Sequence, residues 1–325
     1  MSNVAELGAG RGSQASDLRD VVRREVGKAV IGHEQAIDLL AVAAIAGGHV
    51  LLEGPPGVAK TLLVNALAHT LGLSFNRIQF TPDTQPRHVA GETIERMGEN
   101  VFVQGPVFAN MLLADEINRT PPRTQAALLE AMQERQVTVD GKTHFLPTPF
   151  LVIATQNPYE RADEIFTLPE SQLDRFLFKV EMHYGDAEQE LAMVKLPHAG
   201  LSPDLIGEVQ PALDRSGLMH AQREVDETEV PDELARYIVA VVRKTRELPG
   251  VVLGASPRAA LHLLTAAKAN ARLAGRAVVD YSDVSAMAPF VLGHRLIVSA
   301  GSSPGAVEEA LVEARAAAER PGGNH

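Results

Sequence analysis

The chain has 325 residues, 45% of them hydrophobic, so it is long enough for about two globular domains with a sizeable core. Its net charge of −11 is shared by both halves, with 16 basic against 22 acidic side chains in residues 1–185, which argues against nucleic acid as the main partner. It contains no cysteine, which excludes disulfides, thiolate metal sites and cysteine nucleophiles.

The ends of the chain and its apolar runs bear on location. Residues 1–16 are rich in Gly, Ser and Ala, and residues 320–325 read Arg-Pro-Gly-Gly-Asn-His, so we expect both segments to be flexible tails. No apolar run reaches the ~18 residues of a membrane-spanning helix, and the N-terminus lacks a basic region followed by an apolar one. We therefore expect no integral membrane segment, no signal peptide and a cytoplasmic location.

Strand-like and helix-like runs alternate through the first half of the chain, at 49–53, 61–70, 75–80, 111–115, 124–134, 150–155 and 176–181. Strands alternating with helices predict a mainly parallel sheet that is covered on both faces. Two insertions, within residues 92–108 and 136–145, look like β-hairpins, and the Asp140-Gly141 turn of the second is the stronger signal. Neither hairpin is needed to close a minimal sheet, so both are candidates for partner contact.

From about Asp186 the pattern becomes helical, most clearly in residues 188–195, 231–247, 257–275 and 281–294. Pro231 follows an acidic stretch and suits the first position of a helix. We therefore expect an α/β core over residues 1–185 and a second, all-helical domain over residues 186–325. On one predicted helix, Lys268, Arg272 and Arg276 recur at four-residue spacing, which favours a solvated stripe over an interface.

A glycine- and proline-rich loop separates the first of these strands from its helix. The loop ends in Lys60 and Thr61, which start the helix. Backbone N–H groups of such a loop surround a β-phosphate, the lysine neutralises β/γ oxygens, and the threonine hydroxyl ligates Mg²⁺. A Gly/Pro turn opening an ordinary helix would explain the glycines and prolines but not the Lys-Thr pair.

The loop departs from the usual pattern at Ala59, where glycine normally precedes the lysine. The context still predicts a nucleotide-binding loop. Its candidate binding residues are Gly54, Pro55, Pro56, Gly57, Val58, Ala59, Lys60, Thr61 and Leu62.

Two acids follow the apolar run 111–114, as expected of a buried strand that carries them to the C-terminal edge of a sheet. Asp115 is the candidate for the Mg²⁺ side, through coordinated water, with Thr61 as the other metal ligand, and Glu116 is the candidate general base. An Asp-Glu pair after a strand is also a common helix N-cap, but its distance from the phosphate-binding loop favours the functional interpretation. We expect the loop and the acids on adjacent strands.

These motifs resemble the MoxR branch of the AAA+ ATPases across roughly residues 28–180. The resemblance is carried by VIG at 30–32, LLADEINR at 112–119, LLEAMQE at 128–134, ATQNP at 154–158 and LPESQLDRF at 168–176. In that branch an alanine before the loop lysine is familiar. The resemblance implies a P-loop NTPase core of the AAA+ type with β-hairpin insertions, an all-helical lid domain, and ATP and Mg²⁺ as cofactors.

The resemblance also implies roles for two further polar residues of the core. Asn157 matches sensor 1, which would orient the attacking water, although an Asn before Pro158 can simply form a turn. Arg175 matches the arginine finger that is supplied to the neighbouring subunit's nucleotide, where such a group contributes about 10³–10⁵ in rate. A lone arginine near a strand is usually a surface charge, but the surrounding motif favours the finger.

In the second half, residues 254–258 resemble the sensor 2 motif. This would place Arg258 at the start of a lid helix and facing the γ-phosphate, although Pro257-Arg258 could merely start a helix. Val30, Ile31 and Gly32 resemble the segment that lines the adenine pocket.

The resemblance implies a Mg²⁺-dependent ATP hydrolase, assembled as a ring of six, that remodels or activates client proteins in a chaperone-like way. It also implies a partner with a von Willebrand factor A domain and its metal-dependent adhesion site.

Two alternatives stay open. A DNA-directed motor, of the kind of MCM helicases and branch-migration motors, is disfavoured by the acidic balance. A nucleotide-gated, chelatase-like subunit with slow turnover is disfavoured by the complete set of polar residues, although that set does not fix the rate. The set is Lys60, Asp115, Glu116, Asn157 and Arg175.

Overall fold

The computed structural model describes residues 15, 17–159, 165–195, 204–299 and 305–318. Its strands are β1 (Val50–Glu53), β2 (Phe75–Gln79), β3 (Gly91–Arg96), β4 (Glu99–Gln104), β5 (Met111–Asp115), β6 (Gln136–Val139), β7 (Lys142–Phe145), β8 (Leu151–Gln156), β9 (Phe178–Glu181), β10 (Val251–Leu253) and β11 (Ile297–Val298). Its helices are α1 (Leu18–Val26), α2 (Glu34–Ala46), α3 (Lys60–Thr70), α4 (Pro86–Ala90), α5 (Pro122–Glu134), α6 (Glu170–Leu173), α7 (Ala187–Val194), α8 (Arg215–Asp226), α9 (Asp232–Lys244), α10 (Pro257–Leu273), α11 (Tyr281–Leu292) and α12 (Ala306–Ala318).

A five-stranded parallel sheet forms the centre of the first half, in the order β2-β5-β8-β1-β9. Its strands read as near-continuous apolar runs because both faces of the sheet are covered. Successive side chains of β5 point to opposite faces of the sheet. Met111 and Leu113 join the apolar cluster that contains α2 and α3, whereas Leu112 and Ala114 join the cluster beneath α5. The predicted parallel α/β sheet is confirmed.

The expectation that the phosphate-binding loop and the acid pair lie on adjacent strands is wrong. β8 lies between β1 and β5 and pairs with both. In a parallel sheet, the crossover connections decide which strands become neighbours, and the order along the chain does not reveal this.

Both predicted hairpins are present. β3 pairs antiparallel with β4, and β6 with β7. Each turn is built by two residues in the left-handed region, Met97-Gly98 with φ of 54° and 83°, and Asp140-Gly141 with φ of 49° and 75°. Such turns match the twist of the flanking strands. The rings of Phe102 and His144 stack with centroids 3.8 Å apart, so the two hairpins contact each other.

The second half is helical, with α7 to α12, and the prediction of a helical lid domain is confirmed. In addition, it holds a short antiparallel pair of strands, β10 and β11, so it is not helical throughout. Helix α2, the second helix of the chain, packs against α8 and α10 of the lid. The lid therefore shares one apolar cluster with the core. The domain boundary at residues 185 and 186 stays a prediction, although Asp186 N-caps α7 through the amide of Gln189.

The basic residues Lys268 and Arg272 of α10, and Arg276 just after it, are anchored within the chain. Lys268 Nζ donates to the carbonyl of Asp226, and Arg272 Nε donates to Thr228 Oγ1. Arg276 forms an ion pair of 2.6 Å with the fully buried Asp283. The predicted solvated stripe is therefore wrong, because these side chains fasten α10 to its neighbours.

The predicted tails lie outside the described residues, apart from the buried Ala15. Among the helices that the structure does describe, none is both long and apolar enough to cross a membrane.

Candidate functional site

The loop after β1 is shaped by its glycines and by one left-handed alanine. A Cβ on Gly54 would lie 2.4 Å from the carbonyl oxygen of Met182, so the loop passes too close to the end of β9 for a side chain. Gly57 has φ of +85° and borders open space. Ala59 has φ of 59°, a conformation that glycine adopts at lower cost, which explains why glycine is usual at this position.

Lys60 begins α3 and its side chain turns back over the loop. Nζ donates to the carbonyl oxygens of Gly54 at 2.5 Å and Pro55 at 3.1 Å. The ammonium group is therefore held at the mouth of the loop, where it can exchange carbonyl oxygens for phosphate oxygens.

The structure brings Thr61 and Asp115 together, although their strands are not adjacent. Thr61 Oγ1 lies 3.5 Å from Asp115 Oδ2. Because β8 lies between β1 and β5, the start of α3 must pass over the carboxyl end of β8 to make this contact. Asp115 is buried and accepts from Arg77 Nη2 at 2.7 Å through the same oxygen. Its other oxygen accepts from Thr155 Oγ1 at 2.6 Å. The carboxylate is thus fixed on both sides.

Glu116 follows directly, in the left-handed region with φ of 57°. Its Oε2 accepts from Gln79 Nε2 at 2.6 Å and from Arg119 Nη1 at 3.1 Å. Its backbone N–H donates to Thr155 Oγ1 at 2.9 Å. One hydroxyl from β8 therefore positions both acids.

Sequence reasoning missed Gln79 and Thr155. The signal that could have indicated them is their position, since each lies at the carboxyl end of a strand of the same sheet.

Asn157 follows the last residue of β8, at the same edge of the sheet as the loop. Its Oδ1 accepts from the backbone N–H of Tyr159 at 3.1 Å. The turn that the sequence offered as an alternative is therefore formed, and the sensor role stays a prediction.

A cavity of about 460 Å³ lies between the N-terminal segment, the loop and the start of the lid. Of the predicted nucleotide-binding residues, those that line it are Val30, Ile31, Gly57, Val58, Ala59 and Leu62. Gly32 lies beside it, where a Cβ would be 3.1 Å from the side chain of Gln189. The lining residue His33 has its pKa lowered, mainly by burial. This largely apolar cavity therefore lies directly beside the loop.

Arg175 and Arg258 do not lie at this edge. Two residues after Arg175, the backbone N–H of Leu177 donates to the carbonyl oxygen of His49. His49 immediately precedes β1, so Arg175 lies near the amino end of that strand. Arg258, in the first turn of α10, lines a cavity of about 260 Å³ together with Arg175 and His49. The four residues of β1 separate this cavity from the loop by about 13 Å. Within one subunit Arg258 therefore lies away from the loop, and its sensor role stays a prediction.

The lid holds the loop that carries Arg175. Arg295, which is buried, donates to Asp174 Oδ1 at 2.8 Å and to Phe176 O at 2.7 Å. Ser256 Oγ donates to Asp174 Oδ2 at 3.0 Å. No local pattern in the sequence indicates these contacts, because Arg295 lies some 120 residues from its partners in the chain.

The charges around this loop perturb its titratable groups. Burial and the neighbouring Arg258 lower the pKa of Arg175, and Glu130 opposes them. Arg175 Nε is buried without a hydrogen-bond partner among the described residues. Burial, followed by the charge of Arg295, lowers the pKa of His262 to about 4. The amino-terminal edge of the sheet, around Arg175 and Arg258, is thus positively charged and partly shielded from water.

Two family matches cover most of the chain. Residues 49–178 match the ATPase family associated with various cellular activities (AAA), and residues 243–315 match the AAA lid domain. The Bacillus subtilis protein YeaC is 44% identical over 275 residues, which cover 84% of this chain and 85% of that protein. Chaperone MoxR1 of Mycobacterium tuberculosis is 42% identical over 286 residues, which cover 85% of this chain and 74% of that protein.

A crystal structure of a candidate ATPase from Cytophaga hutchinsonii is similar in fold and sequence. It matches with a TM-score of 0.83 and 38% identity, over 92% of this chain and 96% of that chain.

Proposed function

Because the chain belongs to the MoxR family of AAA+ ATPases, we propose that it is a Mg²⁺-dependent ATPase whose subunits complete one another's active sites in a head-to-tail ring. One observation carries this proposal. Arg175 and Arg258 lie at the opposite end of β1 from Lys60, so they cannot reach a nucleotide held by their own subunit. A head-to-tail contact would bring them to a neighbour's nucleotide, and such contacts close into rings when the rotation permits. Family precedent suggests six subunits.

The described residues fit ATP with Mg²⁺. Thr61 Oγ1 and Asp115 Oδ2 are oxygen donors 3.5 Å apart, and Mg²⁺ prefers oxygen ligands. These two residues would hold the ion, Asp115 through water. When bound, Mg²⁺ offsets negative charge on the phosphate oxygens. Lys60 would move from the loop carbonyls to the β/γ oxygens, and removal of the ion with a chelator should abolish turnover.

The remaining polar groups have roles in moving a proton and neutralising charge. The contacts of Glu116 with Gln79 and Arg119 both use Oε2, so Oε1 can accept the proton of the attacking water. Asn157 would position that water. From the neighbouring subunit, Arg175 and Arg258 would neutralise charge on the γ-phosphate.

The test is ATP turnover of Arg175→Ala at concentrations where the protein assembles. We expect a loss of about 10³-fold, because a trans-acting arginine contributes on that order. Arg236→Ala, at an exposed position of α9, is the matched control and should keep wild-type turnover. Size-exclusion chromatography reports assembly in each case. Unchanged turnover of assembled Arg175→Ala would overturn the shared site.

We further propose that hydrolysis moves lid against core and thereby remodels client proteins, in a chaperone-like role. The two hairpins are the proposed contact for a client or for a partner with a von Willebrand factor A domain. They present Met97, which is fully exposed, and Phe145, which is 79% exposed. Apolar side chains at hairpin positions without internal partners suit a protein surface better than they suit water.

Capture on a stalled protein tests the hairpin contact. Glu116→Gln should bind ATP without hydrolysing it, and so retain its partners. Adding Met97→Ser and Phe145→Ser to that variant should reduce capture of the partner domain at least fivefold. Val312→Ser, at an exposed apolar position of α12, is the control. Equal capture by both would exclude the hairpins as the contact.

A further inference from the structure

A third arginine, Arg135, lines the cavity that contains Arg175 and Arg258. Two other observations place its side chain over the start of β1. A Cβ on Gly47 would lie 3.8 Å from Arg135 Nη2. The charge of Arg135 also contributes, after burial, to the lowered pKa of His49. The three guanidinium groups therefore share one small cavity at the amino-terminal edge of the sheet.

The backbone holds Arg135 in a fixed but costly position. It caps the end of α5 in the left-handed region, with φ of 52°, which costs a residue with a side chain roughly 1–2 kcal/mol. Its N–H donates to Ala131 O at 3.0 Å, and its carbonyl accepts from Leu146 N at 2.9 Å. Asparagine or glycine would fit this turn with less strain, so the conformation does not explain an arginine. Strain of this kind is retained where function requires it.

The cavity has an excess of positive charge that the subunit balances only in part. None of the residues that line it is a carboxylate. Asp174 lies 3.9 Å from Arg258 Nη1 but is shared with Arg295 and Ser256. Glu130 acts on Arg175 as a second, weaker source of negative charge. Among the described residues, the side chain of Arg135 has no hydrogen bond or ion pair. Arg135 is exposed and Arg258 is 43% exposed, so an outside anion can reach them. Neighbouring like charges repel, so such an anion would stabilise them.

We propose that Arg135 is a third cation donated, together with Arg175 and Arg258, to the triphosphate bound by the neighbouring subunit. This inference rests on the proposed shared site and adds a catalytic residue to it. A terminal phosphate carries several oxygens and a high charge, which planar guanidinium groups recognise well. Free phosphate offers the same chemistry, and the experiment distinguishes the two sources.

The experiment compares Arg135→Gln with wild type in two states, dilute and assembled. Arg135→Gln removes the charge and keeps a polar, although shorter, side chain. In the dilute state we expect unchanged affinity for a non-hydrolysable ATP analogue, because each subunit's own loop and acids are intact. In the assembled state we expect at least a tenfold loss of turnover, partly restored in Arg135→Lys. Arg236→Ala should match wild type in both states.

Each other result overturns a defined part of the proposal. If assembled Arg135→Gln keeps turnover within twofold of wild type while Arg175→Ala loses it, the third cation is wrong and the shared site stands. If neither variant loses turnover, the shared site itself fails. A weakened analogue affinity in the dilute state would show that Arg135 acts on its own subunit. Inorganic phosphate that binds dilute wild type but not dilute Arg135→Gln would assign the cavity to a free anion.

Discussion

Thr155 Oγ1 on β8 donates a hydrogen bond of 2.6 Å to Asp115 Oδ1 on β5. The same hydroxyl accepts the backbone N–H of Glu116 at 2.9 Å. The strand that separates the phosphate-binding loop from the acids therefore also fixes the geometry of the acids. This contact exists only because β8 lies next to β5 in the sheet. The positions of the two carboxylates therefore depend on the strand order.

Replacing Thr155 by valine tests this contact, since the two side chains have nearly the same shape. The change leaves a buried carboxylate oxygen and a backbone N–H without their partner. We expect a loss of about 1–3 kcal/mol in the free energy of unfolding, measured by urea titration. We also expect turnover to fall by more than nucleotide affinity does. Thr70→Val is the control, because the buried Thr70 hydroxyl donates to the Ala66 carbonyl, away from the acids, and its loss should cost stability without a specific loss of turnover.

Ala59→Gly should be at least as stable as the wild type. A left-handed alanine costs roughly 1–2 kcal/mol, and glycine removes that cost while adding up to about 1 kcal/mol of unfolded-state entropy. Ala126→Gly, at an exposed helical position of α5, should instead lose about 1 kcal/mol. Urea titrations of the two variants give the comparison. A larger loss at position 59 than at position 126 would contradict the strain argument.

Arg295→Met should release the loop that carries Arg175. The change removes the buried partner of the half-buried Asp174, so we expect a loss of about 2–3 kcal/mol in the free energy of unfolding. In protein that stays folded, turnover should fall while the affinity of the subunit's own loop for nucleotide is kept. Asp174→Asn should show the same separation. An Arg295→Met variant with reduced stability but full turnover would limit Arg295 to a structural role.

Stability should fall as the pH is lowered from about 6.5 towards 4. Burial lowers the pKa of His49 to about 4, and burial with Arg295 does the same for His262. The folded state therefore binds fewer protons than the unfolded state in this window, and the stabilisation is present in full only above the unfolded pKa. Each histidine contributes a slope of at most about 1.4 kcal/mol per pH unit.

The pH dependence is measured by urea titrations between pH 7.5 and 4.5. His262→Gln should reduce the slope, whereas exposed His69→Gln should leave it unchanged. Equal slopes in all three proteins would show that His262 is not the titrating group.

The sequence was sufficient for the parts of the fold that depend on local chemistry. Asp140-Gly141 predicts a two-residue turn because both positions need positive φ, and the hairpin is present. The Lys60-Thr61 pair after an apolar strand predicts a helix start, and α3 begins at Lys60. Ser256 and Pro257 likewise mark the start of α10.

The parts that the sequence did not predict depend on contacts between distant segments. Gln79 and Thr155 reach Glu116 from strands that precede and follow it by more than 30 residues. Lys268, Arg272 and Arg276 have the spacing of a solvated stripe, but the fold gives them internal partners, such as Asp283 for Arg276. The location of Arg258 follows from how α10 packs on α2, which no local pattern encodes.

The two ends of β1 lie on different sides of the subunit. Its carboxyl end leads into the loop that would hold the subunit's own nucleotide, and its amino end borders the arginines proposed for the next one. In a closed ring, every strand of this kind would point the same way around the circle. Each nucleotide would then lie between the loop of one subunit and the arginines of the next, so the two sides of a subunit would not be interchangeable.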